Sequence, residues 1–153
     1  MAKAIEQLLV LQACDQEIRR LRREMEDIPL RKRQIESRLS AQQEGAVQAD
    51  RVLLEAQAHI KHLEGEIEAA RQSIQKFREQ QLQIKSNDGY KALEKEVATA
   101  QSGIRKLEDQ ELEAMEAVEA ARADVAVRRE ALSKEQVRVT EEVKAFMERS
   151  AGL

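Results

Sequence analysis

Two histidines and a glutamate lie close together at spacings that suit metal binding on a helix. His59 and His62 are three residues apart, and Glu66 follows His62 by four, so that the side chains share one helical face. A tetrahedral site needs further histidine or cysteine ligands, but the sequence has only two histidines and one cysteine. We therefore interpret both histidines as surface residues and predict no metal site.

The single cysteine, Cys14, has no candidate base near it in the sequence. A catalytic thiol must be activated by an adjacent base, whereas both histidines lie far along the chain. The sequence contains no glycine-rich phosphate loop, nucleophile elbow or metalloprotease helix. We therefore predict a non-enzymatic protein without a cofactor, in which Cys14 behaves as a small apolar residue.

Basic residues are concentrated between residues 19 and 33, where seven basic and three acidic side chains leave a net charge of +4. Such a run suits phosphate backbones, whose binding is driven by counterion release. Because no aromatic residue lies among them to stack on bases, we favour a solvated, salt-bridged helical face. Nucleic-acid binding is kept as an alternative. Its candidate residues are Arg19, Arg20, Arg22, Arg23, Arg31 and Arg33.

The composition is that of long helices. Of the 153 residues, 36% are charged and 2% aromatic, with no Trp, one Pro and five Gly. A globular core of this size normally uses aromatic residues and frequent turns. The net charge of −3 gives no general attraction to nucleic acid or anionic lipid. The first residues have too short an apolar stretch for a signal peptide, and no 18-residue apolar run exists. We expect a cytoplasmic protein that does not enter a membrane.

An apolar residue recurs at alternating steps of three and four from Leu11 to Ile84. Only Lys32, Gln42 and Gln81 are polar among the 22 positions reached. We call these positions, with those of the second series below, the hydrophobic seam. The first series is Leu11, Cys14, Ile18, Leu21, Met25, Ile28, Lys32, Ile35, Leu39, Gln42, Ala46, Ala49, Leu53, Ala56, Ile60, Leu63, Ile67, Ala70, Ile74, Phe77, Gln81 and Ile84. This spacing predicts a coiled coil.

Pro29 lies inside this pattern. Proline removes a backbone donor and clashes with the preceding turn of a helix. Since the seam keeps its phase across Pro29, we favour a kink near this residue. A short first helix, followed by a second one that has Pro29 in its first turn, is the alternative.

The turn-forming residues Lys85 to Gly89 interrupt the pattern in mid-chain. Ser, Asn and Asp cap helices, and Gly tolerates a left-handed conformation at helix ends. The second series then runs through Tyr90, Leu93, Val97, Ala100, Ile104, Leu107, Glu111, Ala114, Val118, Ala121 and Val125, and Val139, Val143 and Phe146 continue the face. We predict one all-α domain over 1–153, an elongated, kinked antiparallel coiled-coil hairpin. Its first helix spans 3–85, the turn 86–89 and the second helix 90–150.

The turn sets which residues face each other. If Ile84 faces Tyr90, paired residues have numbers that sum to about 174. Lys32 then falls near Glu142, a pair that would fix the register more than it adds stability. The alanine-rich stretches 41–58 and 114–131 predict a thin, comparatively pliable middle. Other expected pairs are Phe77 with Val97, Ala56 with Val118, Ile35 with Val139 and Ile28 with Phe146.

Residues 2–21 have no partner in this pairing, because residue 150 falls opposite Glu24. Yet the segment includes Ile5, Leu8, Leu9, Val10, Leu11, Ile18 and Leu21. Exposed apolar surface of this extent marks an interface. We therefore predict that the segment binds a partner, and that it self-associates with a second copy.

Two motifs are distinctive beyond the heptad pattern. The opening, at residues 8–29, is a Leu-rich start with Leu8, Leu9, Leu11, Gln12, Asp15, Ile18, Leu21 and Pro29. The turn carries Lys85, Ser86, Asn87, Tyr90, Ala92, Leu93 and Glu96. Both motifs resemble those of a family of bacterial coiled-coil proteins that carry a C-terminal C4-type zinc ribbon.

The resemblance implies a coiled-coil hairpin with an adaptor, chaperone-like or regulatory role. Members are linked to flagellar and type III secretion systems and to sigma-54. Their ribbon binds zinc through two Cys-x-x-Cys pairs after the second helix, whereas this sequence has Cys14 alone. The chain is therefore either truncated or a member without the ribbon, and no zinc is expected in it.

Three classes of function thus remain: a protein-binding adaptor, a nucleic-acid-binding regulator and a structural spacer. We favour the adaptor. At the hairpin tip, Tyr90 and Asn87 are interpreted first as residues that close the seam and shape the turn, and second as a docking site. The predicted partner-binding residues are Leu8, Leu9, Leu11, Ile18, Leu21, Lys85, Asn87 and Tyr90.

Overall fold

The computed structural model of the chain describes residues 2–152, which form two long α-helices. Helix α1 spans Ala2–Gln83 and helix α2 spans Asn87–Ala151, with 82 and 65 residues. None of the residues in the described range lies in a β-strand. The two helices pack as a hairpin, which confirms the predicted all-α coiled-coil fold.

Helix α1 continues through Pro29 without interruption. The alternative of a separate short first helix is therefore wrong. Proline costs the helix one backbone hydrogen bond, but the apolar positions Met25, Ile28 and Ile35 keep the same spacing on both sides. Of these, Ile28 and Ile35 are half-buried, and such tertiary contacts supply most of the stability of a long helix.

The interruption lies earlier than the predicted turn at 86–89, because residues 84–86 are the non-helical ones. Asn87 begins α2 instead of belonging to the turn, and α1 ends at Gln83 rather than at residue 85. Ser86 is the reason: its Oγ accepts a hydrogen bond from the Gly89 amide at 2.9 Å, which is the geometry of an N-cap. Asp88 in the first turn favours the same helix start through the helix dipole. No described residue has a positive φ, so Gly89 does not take a left-handed conformation.

The chain divides into two compact units, each built from a piece of both helices. The first unit comprises residues 2–46 and 128–152, and the second comprises residues 47–127. In the second unit the buried side chains are apolar residues of the seam together with Gln81, and Val97 is the least exposed at 1%. They are Ala49, Leu63, Ile67, Gln81, Val97, Ile104, Ala114, Val118, Ala121 and Val125.

The first unit has a smaller core. Among its described residues only Ala46 and Glu135 are buried. Half-buried apolar residues complete the contact between the helices, namely Leu132 and the seam residues Ile28, Ile35, Leu39, Val139 and Phe146. Every buried residue of the described range except Glu135 therefore lies on the predicted seam.

Contacts across the helices agree with the predicted pairing inside each unit. In the first unit Arg38 Nε lies 3.0 Å from Glu135 Oε1. In the second, Gln81 Nε2 donates to Glu94 Oε2 at 2.7 Å. The residue numbers of these pairs sum to 173 and 175, which agrees with the sum of about 174 expected from the sequence.

Candidate partner-binding surfaces

The N-terminal segment, residues 2–21, presents the largest run of exposed apolar side chains at one end of α1. Every residue from 2 to 20 is exposed, and only Leu21 is half-buried. The large apolar side chains are between 48% exposed, at Ile18, and 63% exposed, at Leu11. They are Ile5, Leu8, Leu9, Val10, Leu11 and Ile18. The structure thus leaves uncovered the apolar residues that the sequence predicts to bind a partner.

Helix α2 covers α1 only beyond this segment. A small cleft brings Phe146, Arg149 and Ser150 of α2 next to Glu24 and Ile28 of α1. Helix α2 ends at Ala151, and the amide of the following Gly152 donates to the carbonyl oxygens of Glu148 and Arg149 at 3.3 and 3.2 Å. On this face of α1, Leu21 and Ile28 are half-buried and Met25 between them is 60% exposed, while every described residue before Leu21 is exposed.

The hairpin tip exposes a second set of predicted residues. Lys85 and Asn87 are exposed, and Tyr90 is 47% exposed. Asn87 is the first residue of α2, so it lies next to the Ser86 cap. The Tyr90 amide donates to the Ser86 carbonyl oxygen at 3.1 Å, which begins the backbone ladder of α2. The tip thus has a well-defined local structure that leaves the Tyr90 ring available.

Gln81 and Gly89 determine the local structure of this tip. Gln81 is buried although it is polar, and its Nε2 donates to Glu94 Oε2 and, at 3.4 Å, to the Tyr90 carbonyl oxygen. Gly89 approaches closely to its neighbours: a Cβ there would lie 2.9 Å from Ser86 Oγ and 3.1 Å from Ile84 Cγ2. Gly89 is needed for space and not for an unusual backbone conformation.

The basic run at residues 19–33 is exposed, but part of it is already paired. Arg20 forms an ion pair with Glu17 on the same helix. The Arg31 guanidinium lies 5.4 Å from the centre of the Phe146 ring, in a cation–π contact. Arg19, Arg22, Arg23 and Arg33 are exposed on α1.

The residues considered for metal binding and catalysis are exposed on α1. His62 Nε2 lies 3.0 Å from Glu66 Oε1, and both side chains are exposed. His59 and Cys14 are also exposed. Within residues 2–152 no group of three or more His, Cys, Asp or Glu side chains is placed to hold a metal ion.

Glu135 is a buried carboxylate that the sequence interpretation missed. It is 8% exposed and lies between Arg38, at 3.0 Å, and Arg138, at 3.8 Å. No described group donates a hydrogen bond to Glu135 Oε1, so the Arg38 contact is a close charge pair without hydrogen-bond alignment. The sequence does contain a signal that places Glu135 in the core. Alternating steps of three and four from Val125 reach Arg128, Leu132, Glu135, Val139, Glu142 and Phe146. The seam therefore continues past Val125 with polar residues among the apolar ones, whereas the sequence interpretation placed only Val139, Val143 and Phe146 on this face.

The predicted partner of Lys32 was wrong. Glu142 pairs instead with Arg38, whose Nη2 lies 2.9 Å from Glu142 Oε2. Arg38 thus joins two carboxylates of α2, since it also contacts Glu135. The guanidinium presents several donors on a flat fork, which allows one arginine to contact both acids. Lys32 instead lines an apolar cleft of about 380 Å³ with Ile28, Ile35, Leu39, Val139, Val143 and Phe146.

Comparison with known proteins gives one family. The family description "CT398-like coiled coil hairpin domain" matches residues 11–153. No curated protein and no solved structure matches the chain. No helix among the described residues is both long and apolar enough to cross a membrane.

Proposed function

We propose that this chain, which belongs to the family of the CT398-like coiled coil hairpin domain, is a non-enzymatic adaptor of the cytoplasm that binds protein partners. The observation that supports this proposal is the exposed N-terminal segment. Six large apolar side chains of residues 5–18 are uncovered on one helix. A patch of this kind on a highly charged surface is typical of a protein interface.

The proposed interface uses helix-to-helix packing. An amphipathic partner helix lies along Leu8, Leu11 and Ile18, and buries side chains that are each worth about 1.5–3 kcal/mol. Next to this segment α2 already packs on α1, where Phe146 and Arg149 lie beside Glu24 and Ile28. This is the helix-in-groove type of recognition, in which a few apolar anchors determine the affinity.

The hairpin tip is the second part of this proposal. Lys85, Asn87 and Tyr90 are exposed together around the Ser86 cap. Tyrosine is a frequent anchor in interfaces because it combines apolar area with a hydroxyl group. The tip therefore offers a small polar docking site.

The class of partner rests on resemblance alone. The opening and turn motifs resemble coiled-coil proteins with a zinc ribbon, which are linked to flagellar or type III secretion systems and to sigma-54. We propose a bacterial partner from these systems for this chain. The proposal transfers only the protein-binding role, and no zinc-dependent step is assigned to the chain.

Affinity capture from cells that naturally express the chain tests the adaptor function. We expect a specific protein other than the chain itself to be recovered with the wild type and lost with Leu8→Ser/Leu11→Ser. The matched control is Leu54→Ser/Leu82→Ser, which removes two leucines that are 66% and 87% exposed elsewhere. Equal recovery with both double variants would contradict the proposed surface. Recovery of the chain alone would favour a structural spacer.

Nucleic-acid binding is the second candidate function, because Arg19, Arg22, Arg23 and Arg33 are exposed. A phosphate-binding surface would shift RNA or DNA in a gel, and the shift would weaken steeply with salt. Loss of the shift in Arg22→Gln/Arg23→Gln would support this function. A shift that does not respond to salt or to these substitutions would exclude it.

A further inference from the structure

A line of uncharged residues runs along one flank of α2 in the first unit. Alternating steps of three and four from residue 133 reach no charged side chain, although 36% of the chain is charged. All members of the line are exposed. The spacing is that of a packed helical face, but the line lies beside the seam that contacts α1. Its members are Ser133, Gln136, Thr140, Val143, Met147 and Ser150.

This uncharged line borders the apolar cleft of about 380 Å³ between α1 and α2. Val143, Met147 and Ser150 belong to both the line and the lining of the cleft. Phe146 of the seam lines the cleft as well, and Met147 is 68% exposed. The apolar face of α2 is therefore wider here than the seam of a two-helix coiled coil requires. A face of this width is typical of a helix that packs against more than one neighbour.

The cleft has the length of a short helix. Its lining runs from Ile28 to Leu39 on α1 and from Val139 to Ser150 on α2. This corresponds to roughly 17 Å along each helix. A third helix of about three turns fits along this length.

Two charged side chains of α1, Lys32 and Glu36, line the cleft opposite the uncharged line, and the other lining residues carry no charge. Both are exposed, and neither forms an ion pair with another residue of the described range. They lie one helical turn apart, with about 6 Å between their Cβ atoms. The rim therefore offers one positive and one negative charge. Its complement is a helix with an acidic and a basic residue at the same spacing.

We propose that this cleft binds an amphipathic helix of a partner protein. The bound helix packs apolar side chains on Val143, Phe146 and Met147, and completes a short three-helix bundle. An acidic residue of this helix lies beside Lys32, and a basic residue one turn away lies beside Glu36. Apolar burial supplies most of the affinity. The two exposed ion pairs add little energy but select among partner helices.

Three synthetic helical peptides with the same leucine spacing probe the cleft. They differ only in two flanking residues one turn apart, which are Glu and Lys, two Glu, or two Lys. In fluorescence anisotropy with the full chain, we expect the mixed peptide to bind about two- to fivefold more tightly than the other two. Lys32→Glu should shift the preference to the peptide with two Lys, and Glu36→Lys to the peptide with two Glu. A preference that does not follow these substitutions would contradict the proposed rim.

Met147→Glu tests the apolar part of the cleft. It places a charge where the partner helix buries apolar side chains, so all three peptides should bind about tenfold or more weakly. The fold should tolerate it, because Met147 is 68% exposed. The matched control is Met115→Glu in the second unit, where the methionine is 45% exposed, and it should leave binding unchanged. Equal binding by the wild type and Met147→Glu, or no binding of any peptide by the wild type, would overturn the proposal.

Two further results would assign the surface differently. A wild-type dimer that binds no peptide and becomes monomeric with Met147→Glu in sedimentation would place a second copy of the chain in the cleft and overturn the proposal. Leu8→Ser/Leu11→Ser should bind the peptides as the wild type does. Loss of binding in this variant would place the peptides on the N-terminal segment and contradict the cleft. Failure of the cleft to bind leaves the adaptor function through the N-terminal segment standing.

Discussion

The buried carboxylate of Glu135 allows the sign of a stability change to be predicted. Glu135 occupies a seam position between Leu132 and Val139, where an apolar residue is expected, and it is only 8% exposed. Removing a carboxylate from water costs several kcal/mol, which the facing arginine offsets in part. The Arg38 side chain is 44% exposed, so water screens the ion pair.

We expect Glu135→Leu to stabilise the chain by about 1–2 kcal/mol. The substitution removes the desolvation cost and buries a leucine, and replacing buried ions with apolar groups is often neutral or stabilising by about 1–4 kcal/mol. Arg38 is 44% exposed and keeps its contact with Glu142 when Glu135 is replaced.

Arg38→Met should have the opposite sign. It leaves the Glu135 carboxylate buried with only the Arg138 contact at 3.8 Å. Breaking a fully buried pair costs about 3–5 kcal/mol. Because Arg38 is nearly half exposed, we reduce this to a destabilisation of about 1–2 kcal/mol. In the Glu135→Leu background the same substitution should be close to neutral.

Urea unfolding followed by far-UV circular dichroism measures these changes. The control is Arg71→Met, whose ion pair with Glu108 is 3.8 Å long and exposed on both sides. It should change the free energy of unfolding by less than about 0.5 kcal/mol. If Glu135→Leu destabilises as much as Arg38→Met, the carboxylate is a net stabilising group and the reasoning is refuted.

Two further substitutions test the packing described above. Ala49→Leu should destabilise by about 1–3 kcal/mol because Ala49 is buried against α2, whereas Ala58→Leu on the exposed face should be close to neutral; equal effects in urea unfolding would contradict the close approach of the helices. Gly65→Ala should stabilise by about 0.5–1 kcal/mol because nothing lies within 4 Å of the added methyl group. Gly89→Ala should instead destabilise, because its methyl group meets Ser86 Oγ and Ile84; a gain in melting temperature for this variant would contradict the tip geometry.

The repeating seam made the fold predictable from sequence. Apolar residues at three- and four-residue steps identify the packed face of both helices, and the cluster Lys85 to Gly89 marks where the chain reverses. The turn boundaries were less predictable, because Ser and Asn are both common N-cap residues. Only the contact of Ser86 Oγ with the Gly89 amide shows that Ser86 is the cap and that Asn87 begins α2.

Polar contacts inside the seam were harder to predict than the seam itself. By the expected sum of 174, Glu142 faces Lys32 and Arg38 faces residue 136, yet the Arg38 side chain contacts both Glu135 and Glu142. Glu135 was missed because an acidic residue at a core position looks like the end of the pattern. The exposure of residues 2–20, in contrast, agrees with the predicted pairing, which leaves these residues without a partner on α2.

Protection of the Cys14 thiol tests the central claim most directly, because this exposed residue lies in the middle of the N-terminal segment. The rate of its alkylation is compared between the dilute purified chain and the same chain at the same concentration in native lysate. A Cys14→Ser/Leu82→Cys variant serves as the control, since Leu82 is 87% exposed and lies outside the segment. A partner-binding segment predicts that Cys14 reacts at least severalfold more slowly in the lysate while the thiol at position 82 does not change. Equal rates for Cys14 in both conditions would show that nothing covers the segment and would contradict the account.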